Sequence, residues 1–246
     1  MSEKINIWKE KIPVRFGNID GSDKLTLWSI FDYFQEVAIS HAESLGVGRE
    51  AMSKMGYAWI LSRLSLSVER RPLYRENIEV STWPRKWDKL FALRDYCIKD
   101  EGGKTAVRGR GAWLIMDVER RRPIRAQALM EALPHNDSID AYPEGPASLN
   151  PREDLVKTSE RTAGYSDVDY FGHVNNARYI QWIQDLIGMD VLSKAEEIRL
   201  DINYLGEVLP GNTVELWTSK DSSLFACEGR REGTPVFRAE LSFSKI

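Results

Sequence analysis

Residues 163–180 read Ala-Gly-Tyr-Ser-Asp-Val-Asp-Tyr-Phe-Gly-His-Val-Asn-Asn-Ala-Arg-Tyr-Ile. The segment is a short turn containing Asp169 and His173, followed by apolar residues at helical spacing: Tyr179, Ile180, Ile183, Leu186 and Ile187. The helix is predicted to open near Asn175 or Asn176, because an Asn side chain can cap the free backbone N–H groups of a first turn. The segment therefore predicts a turn that leads directly into a helix with one buried side.

The same pattern occurs earlier in the chain. Residues 14–20 read Val-Arg-Phe-Gly-Asn-Ile-Asp, so that Asp20 lies 149 positions before Asp169, and a second helical stripe opens near Thr26. Each helix is followed by alternating strands and a Gly-containing turn. A helix that is strongly apolar on one side must bury that side against a sheet. The predicted fold class is therefore α+β, built from two copies of one structural unit.

The boundary between the two copies is marked by composition. Residues 134–155 contain four of the ten prolines, together with Asn, Asp, Ser and Gly, and show little periodicity. We expect residues 1–133 to form the first domain, 134–155 a linker along the surface, and 156–246 the second domain.

Composition restricts the class of protein. The chain has 246 residues, a net charge of -3, two cysteines, three widely separated histidines and no apolar run of membrane-spanning length. These features argue against nucleic-acid binding, a disulfide framework and a metal site, and no cofactor is expected. Residues 1–5 carry no signal sequence, so a cytoplasmic location is expected.

The turn before the second helix carries residues suited to acyl-transfer chemistry. A helix start offers unpaired N–H groups and a partial positive charge, which suit a developing oxyanion. Asn175 and Asn176 mark that start. The imidazole of His173 can move protons near neutral pH, and a carboxylate such as Asp169 can orient it or steer a water molecule.

This turn resembles the signature of hotdog-fold thioesterases, in which an Asp precedes a Gly-His-Val-Asn-Asn run that opens the central helix. The whole chain resembles the acyl-acyl carrier protein thioesterases of plants and bacteria, and the supporting stretches are residues 25–27, 35–38, 59–63, 80–84, 94–96 and 204–207. The resemblance implies two tandem hotdog domains, each a long helix wrapped by an antiparallel β-sheet. It also implies hydrolysis of fatty acyl-acyl carrier protein in fatty acid biosynthesis, with the acyl carrier protein as partner.

The resemblance further implies a catalytic group in the second half. Asp169, His173 and Glu207 match the family pattern, whereas Phe171 stands where the family has Asn and Val208 where it has Cys. Without a thiol at position 208, direct attack by water is favoured over an acyl-enzyme.

The first copy lacks these residues. At the 149-residue offset His173 aligns with Lys24, and at the 136-residue offset of the later strands Glu207 aligns with Arg71, so that only the Asp is shared, as Asp20. One active site is therefore expected, and the first half would supply the scaffold and the acyl pocket. The candidates for lining that pocket are Trp28, Phe31 and Trp59.

Other interpretations stay open. Asp169 could serve only the turn, and Glu207 could be an ordinary exposed acid. The basic clusters within residues 70–75, 85–89 and 120–125 could be solvated faces or docking aids for an acidic carrier. The rival functions are an acyl-CoA thioesterase, a hotdog dehydratase, and a module that binds acyl carriers without catalysis. A homodimer is a further option.

Overall fold

The computed structural model describes residues 6–220 and 224–244, in which eleven strands and five α-helices are found. Residues 1–5, on which the expectation about a signal sequence rests, lie outside the described residues, as do the outermost residues of the two predicted domains. No helix in the described ranges is long and apolar enough to cross a membrane. The first half contains β1 (Trp8–Pro13), α1 (Leu27–Ser44), α2 (Arg49–Lys54), β2 (Tyr57–Val68), β3 (Asn77–Asp88), β4 (Phe91–Lys99), β5 (Thr105–Asp117), β6 (Arg122–Ile124) and α3 (Gln127–Ala132). The second contains β7 (Val156–Thr162), α4 (Asn176–Ile187), α5 (Met189–Leu192), β8 (Glu197–Tyr204), β9 (Thr213–Lys220), β10 (Leu224–Arg231) and β11 (Thr234–Ser244).

Both long helices begin where the sequence predicts. The Thr26 side chain accepts a hydrogen bond from the backbone N–H of Ser29, and the Asn175 side chain accepts one from Ala177. These caps satisfy N–H groups that have no acceptor within a first helical turn. The two predicted N-caps are therefore confirmed.

The turns before the two helices repeat the same backbone hydrogen bonds. Asp20 N–H donates to Lys24 O at 3.0 Å, and Asp169 N–H donates to His173 O at 2.9 Å. One residue in each turn has a left-handed backbone, Asp23 in the first turn and Gly172 in the second. Glycine adopts this conformation without strain. The repeat read from the sequence is thus present in the fold.

The strands of both halves form one continuous sheet. Its order is β1-β3-β4-β5-β2-β8-β11-β10-β9-β7, with β6 paired to β5. The seam between the halves is the antiparallel pair β2 and β8, registered from Arg63 opposite Asn203 to Val68 opposite Ile198. Helices α1 and α4 pack against each other across this seam, so each half covers its apolar helix with the sheet and with the other half.

The buried apolar residues fall into two clusters. The main cluster joins α1 and α4 to the inner faces of the strands from both halves. A second, smaller cluster lies within the first half; it is built on Val47, Met52, Ile115, Leu129 and Leu133, with Trp59 and Ile124 packed against it. The second cluster therefore belongs to α2, α3 and the start of β2, a region that the sequence analysis did not resolve.

Residues 134–149 cross the outer face of the sheet, opposite the helices. Ala147 N–H donates to the Ser65 side chain at 3.0 Å, and Asn203 makes two hydrogen bonds, with Ala147 O and Leu149 N–H, each at 2.8 Å. Ser65 alternates along β2 with the core residues Leu64 and Leu66, so its side chain lies on the outer face. The segment is therefore bonded to strands of both halves.

A buried ionic group fastens the start of this segment. Asp95 has no exposed surface, and its carboxylate accepts hydrogen bonds from Arg110 at 2.6 and 2.9 Å and from Ala141 N–H at 2.9 Å. Arg85 approaches the same carboxylate at 3.8 Å, and both arginines contact Asp140. The group joins β3, β4 and β5 to the crossing segment.

Candidate active site

The turn at residues 169–173 is held by its own hydrogen bonds. The Asp169 carboxylate accepts the Phe171 N–H at 2.8 Å, and Gly172 N–H donates to Asp169 O at 3.0 Å. Asp20 does the same in the first half, where it accepts the Ser22 N–H at 2.9 Å. The shared Asp thus has a structural task in both copies, and a catalytic part for Asp169 stays a prediction.

The residues after the turn place the start of α4. Val174 N–H donates to Val208 O at 2.8 Å and Asn175 N–H to Asp167 O at 2.8 Å, while Ala177 N–H is taken by the Asn175 cap. Within the part of the chain that the structure describes, the N–H of Asn176 has no acceptor. The helix start therefore keeps one donor for an incoming oxygen.

His173 and Glu207 meet beside this helix start although they lie far apart in sequence. The distance between His173 Nε2 and Glu207 Oε2 is 3.7 Å, and the two side chains are 35% and 48% exposed. Glu207 follows β8, and its backbone carbonyl accepts a hydrogen bond from Arg231 at 2.8 Å. A separation of 3.7 Å is longer than a direct hydrogen bond, but catalytic contacts often tighten only when substrate binds.

The buried phenol of Tyr179 lies close to the charged groups of this site. Burial raises the pKa of Tyr179, the nearby Arg231 lowers it, and the carboxylates of Asp169 and Glu207 raise it further. Both carboxylates therefore act on the same buried phenol on the first turn of α4. The structure brings Asp169, His173 and Glu207 to one region of the second half.

In the first half, the positions equivalent to His173 and Glu207 carry cations that are engaged in an ion pair and in hydrogen bonds. Arg71, which aligns with Glu207, pairs with Asp20 and donates to Leu192 O, and Lys24, which aligns with His173, donates to Ser193 O at 2.8 Å. The Arg71 side chain is almost fully buried. This copy lacks an acid-base pair, and its polar groups bond the two halves together.

The three acyl-pocket candidates do not lie together. Phe31 is 2% exposed in the main cluster, and Trp28 packs against that cluster with the Arg178 guanidinium 5.5 Å from its ring. Trp59 belongs to the second cluster and donates to Val47 O at 2.9 Å. Of the three, only Trp59 therefore lies in the apolar cluster of the first half that is separate from the main core.

Two cavities lie away from His173. An open groove of about 300 Å³ is lined by residues of the crossing segment and of the outer sheet face, including Ser67, Arg108, Tyr142 and Arg199. A much smaller cavity of about 10 Å³ lies farther along the same segment, near Leu149 and Cys227. Neither opens beside the helix start of α4.

Two contacts from the first half reach the site, and the sequence analysis missed both. Arg121 Nη2 donates to Glu207 Oε2 at 2.8 Å, and the Arg49 guanidinium stacks 3.8 Å over the Tyr170 ring. The sequence showed the basic run at residues 120–122, but no local pattern connects it with a carboxylate 86 positions away. Such a contact depends on how the two halves pack.

The site has no thiol at the position where the family pattern places one. Val208 is fully buried, and the two cysteines, Cys97 and Cys227, are buried on β4 and β10. Burial raises the pKa of both thiols, that of Cys227 to about 12. Thiolates are the reactive form, so neither cysteine is suited to act as a nucleophile.

We therefore expect the native protein to resist thiol reagents. With 5,5′-dithiobis(2-nitrobenzoate) at pH 8, native protein should release almost no chromophore, while protein in guanidinium chloride should react at both cysteines. Any reaction catalysed at this site should survive iodoacetamide treatment of the native protein. Rapid labelling of one native thiol together with loss of activity would contradict a thiol-independent site.

Comparisons with known proteins give a consistent result. A model described as the acyl-ACP thioesterase N-terminal domain matches residues 6–131, and one described as the acyl-ACP thioesterase C-terminal domain matches residues 152–238. Acyl-[acyl-carrier-protein] hydrolase FATB2, chloroplastic, of Cuphea viscosissima is 26% identical over 88% of this chain and 56% of its own length. Oleoyl-acyl carrier protein thioesterase 1, chloroplastic, of Arabidopsis thaliana is 24% identical over 90% and 66%. The chain thus spans between about half and two thirds of the length of these relatives.

Two solved structures share the fold. An acyl-ACP thioesterase from Bacteroides thetaiotaomicron superposes with a TM-score of 0.89 at 24% identity, covering 99% of this chain and 100% of the other. A 12:0-ACP thioesterase from Umbellularia californica has a TM-score of 0.86 at 19% identity and covers both chains completely. The likeness extends over both halves, so the predicted pair of hotdog units is confirmed.

Proposed function

The chain belongs to the acyl-ACP thioesterase family, and from this premise we propose that it hydrolyses the thioester of fatty acyl-acyl carrier protein, releasing free fatty acid during fatty acid biosynthesis. The observation that carries the proposal is the meeting of His173 and Glu207 at 3.7 Å beside the start of α4. The two curated relatives described above are named as acyl-carrier-protein hydrolase and thioesterase, which supports the same activity.

In the proposed mechanism, a water oxygen adds to the thioester carbonyl carbon. Its proton passes to Glu207 or to His173, since both are within reach of one water molecule and the choice of base stays open. The carbonyl oxygen becomes negatively charged, and the free N–H of Asn176 with the partial positive charge of the helix start favours that charge. As the C–S bond breaks, the proton returns to the leaving thiolate.

Asp169, Asn175 and Asn176 have supporting parts in this proposal. Asp169 and the Asn175 cap hold the turn and the helix start in position. Asn176 contributes its backbone N–H, and its carbonyl accepts a hydrogen bond from Tyr204 at 3.0 Å. A second part for the Asp169 carboxylate, as a group that positions water or substrate, is included in the proposal.

We also propose that the acyl chain enters the second cluster of the first half. The segments that build this cluster adjoin those that touch the site: α2 begins with Arg49, which stacks on Tyr170, and the β5–β6 turn carries Arg121. Trp59 is the strongest of the three pocket candidates for this reason. Phe31 lies in the main core and Trp28 lies beside Arg178, so an acyl chain in the second cluster would not contact either residue directly.

The decisive experiment is a thiol-release assay over acyl carrier protein substrates with short to long saturated acyl chains. We expect release of the carrier thiol and free fatty acid. The same acyl chains on coenzyme A test the rival carrier, and release of thiol from a saturated chain excludes a dehydratase. Binding of acyl carrier protein without thiol release would instead identify a non-catalytic binding module.

Compartment and assembly are separate proposals. We propose a cytoplasmic location, which cell fractionation tests, although the two curated relatives described above are named as chloroplastic. The edge strands β1 and β7 carry exposed charges such as Lys9, Lys11, Lys157 and Arg161. These charges disfavour a homodimer formed by pairing of the sheet edges. Light scattering of the purified chain measures its assembly state.

A further inference from the structure

The β5–β6 turn of the first half supplies the shortest contact of the Glu207 carboxylate. Arg121 Nη2 lies 2.8 Å from Glu207 Oε2, whereas His173 Nε2 lies 3.7 Å from the same oxygen. One carboxylate oxygen is therefore shared between a cation from the first half and the imidazole of the second. The orientation of that carboxylate depends on both neighbours.

The side chain of Arg121 is 75% exposed, but its backbone is held in place by the neighbouring strands and by a turn hydrogen bond. Strand β6 pairs with β5 from Ile115 opposite Ile124 to Asp117 opposite Arg122. The turn is closed by a hydrogen bond of 2.9 Å from Arg120 N–H to the Asp117 carboxylate, and Arg121 has a left-handed backbone at φ 50°. These constraints fix the place from which the guanidinium reaches the second half.

The two copies carry opposite charges at the position of Glu207. In the first copy, Arg71 occupies the position of Glu207 and neutralises Asp20 directly. In the second copy that position is itself acidic: Glu207 lies 3.7 Å from His173, and the carboxylates of Glu207 and Asp169 both act on the phenol of Tyr179. Arg121 brings in a positive charge from outside the repeat.

Resting on the proposed function, we propose that Arg121 is a positioning residue that holds the Glu207 carboxylate toward His173 for attack by water. An ion pair this exposed contributes little to stability, so its removal should leave the fold intact. Misplacing a reacting group by an ångström can cost ~10²-fold in rate. The consequence of losing Arg121 should therefore be seen in turnover and not in thermal unfolding.

The test compares Arg121→Ala with Arg121→Lys and with Arg120→Ala, using acyl-acyl carrier protein and the same acyl chain on N-acetylcysteamine. Arg121→Ala should lower kcat by roughly 10–100-fold on both substrates, with little change in KM and in Tm. Arg121→Lys should keep most of the activity, because the contact is a single N···O approach that an ammonium can also make. Arg120→Ala removes the same charge next door and should keep the wild-type kcat.

A double substitution separates action through Glu207 from other effects. If Arg121 works only by holding Glu207, then adding Arg121→Ala to Glu207→Gln should cause almost no further loss of kcat. Additive losses would overturn the inference. So would an increase in KM for the carrier substrate alone, shared by Arg120→Ala, since that result identifies the turn as a docking surface.

The outcome for Arg121 is distinguishable from the outcome for the proposed function. If the wild-type chain releases no thiol from any acyl substrate, the proposed function fails. If the wild-type chain hydrolyses acyl-acyl carrier protein and Arg121→Ala retains the wild-type kcat, only the positioning role fails.

Discussion

Replacing His173 by alanine is expected to lower kcat for acyl-acyl carrier protein hydrolysis by ~10²–10⁴-fold, the contribution typical of a positioned general acid-base group. His173 lies beside the start of α4, and within residues 6–220 and 224–244 the carboxylate nearest to its imidazole is that of Glu207, at 3.7 Å. The side chain is partly exposed on a turn, so its removal should leave the fold unchanged. Single-turnover and steady-state measurements of thiol release check the prediction.

His135→Ala is the matched control for this experiment. His135 is exposed and lies in residues 134–155, far from α4 in sequence, so the same substitution there should leave kcat near the wild-type value. Circular dichroism and thermal unfolding should be the same for both variants and the wild type. Near-normal turnover by a folded His173→Ala protein would remove the imidazole from the mechanism.

Replacing Asp95 by alanine is expected to cause the largest loss of stability. The substitution removes the buried one of the two carboxylates that Arg85 and Arg110 both contact, leaves these buried guanidinium groups with only the half-exposed Asp140, and frees the N–H of Ala141. Removing one partner of a buried ion pair costs about 3–5 kcal/mol, which corresponds to a decrease in Tm of roughly 6–20 °C for a chain of this size. Urea unfolding and calorimetry measure the change.

Asp140→Ala is the control within the same ionic group. Asp140 contacts the same two arginines, but its side chain is 48% exposed, so its loss should cost about 1 kcal/mol or less. Equal losses for the two variants would show that burial of the Asp95 carboxylate does not determine its contribution. Neither substitution touches His173 or Glu207, so the kcat of folded protein should be retained in both.

The parts of the fold that could be predicted from sequence are those set by local physics. The caps at Thr26 and Asn175 and the spacing of buried residues along each helix depend on chain neighbours. Two offsets between the copies, 149 positions at the turn and 136 positions at the later strands, also aligned Lys24 with His173 and Arg71 with Glu207. The structure shows matching hydrogen bonds around these pairs, such as Leu25 N–H to Pro72 O and Val174 N–H to Val208 O.

The parts that could not be predicted depend on how distant segments pack. No local pattern indicates that β2 pairs with β8, or that the 134–149 segment is bonded to both halves by Asp95, Ser65 and Asn203. The acyl-pocket candidates were chosen for their aromatic rings. The structure places Trp28 and Phe31 on α1, at the main cluster, and Trp59 on β2, at the second cluster. Arg121 was visible only as one of several basic residues.

The unequal ends of the two central helices have a further consequence. In a symmetric pair of identical chains, every substitution appears at two equivalent places, so a change that suits one place must be tolerated at the other. Here Arg49 of α2 and Arg121 of the β5–β6 turn, both in the first half, contact Tyr170 and Glu207 in the second half. The equivalent turn before α1 is closed by the ion pair between Arg71 and Asp20. Under the proposed function, mutations in α2 or the β5–β6 turn can therefore alter substrate preference without a second copy of the change beside the reacting groups.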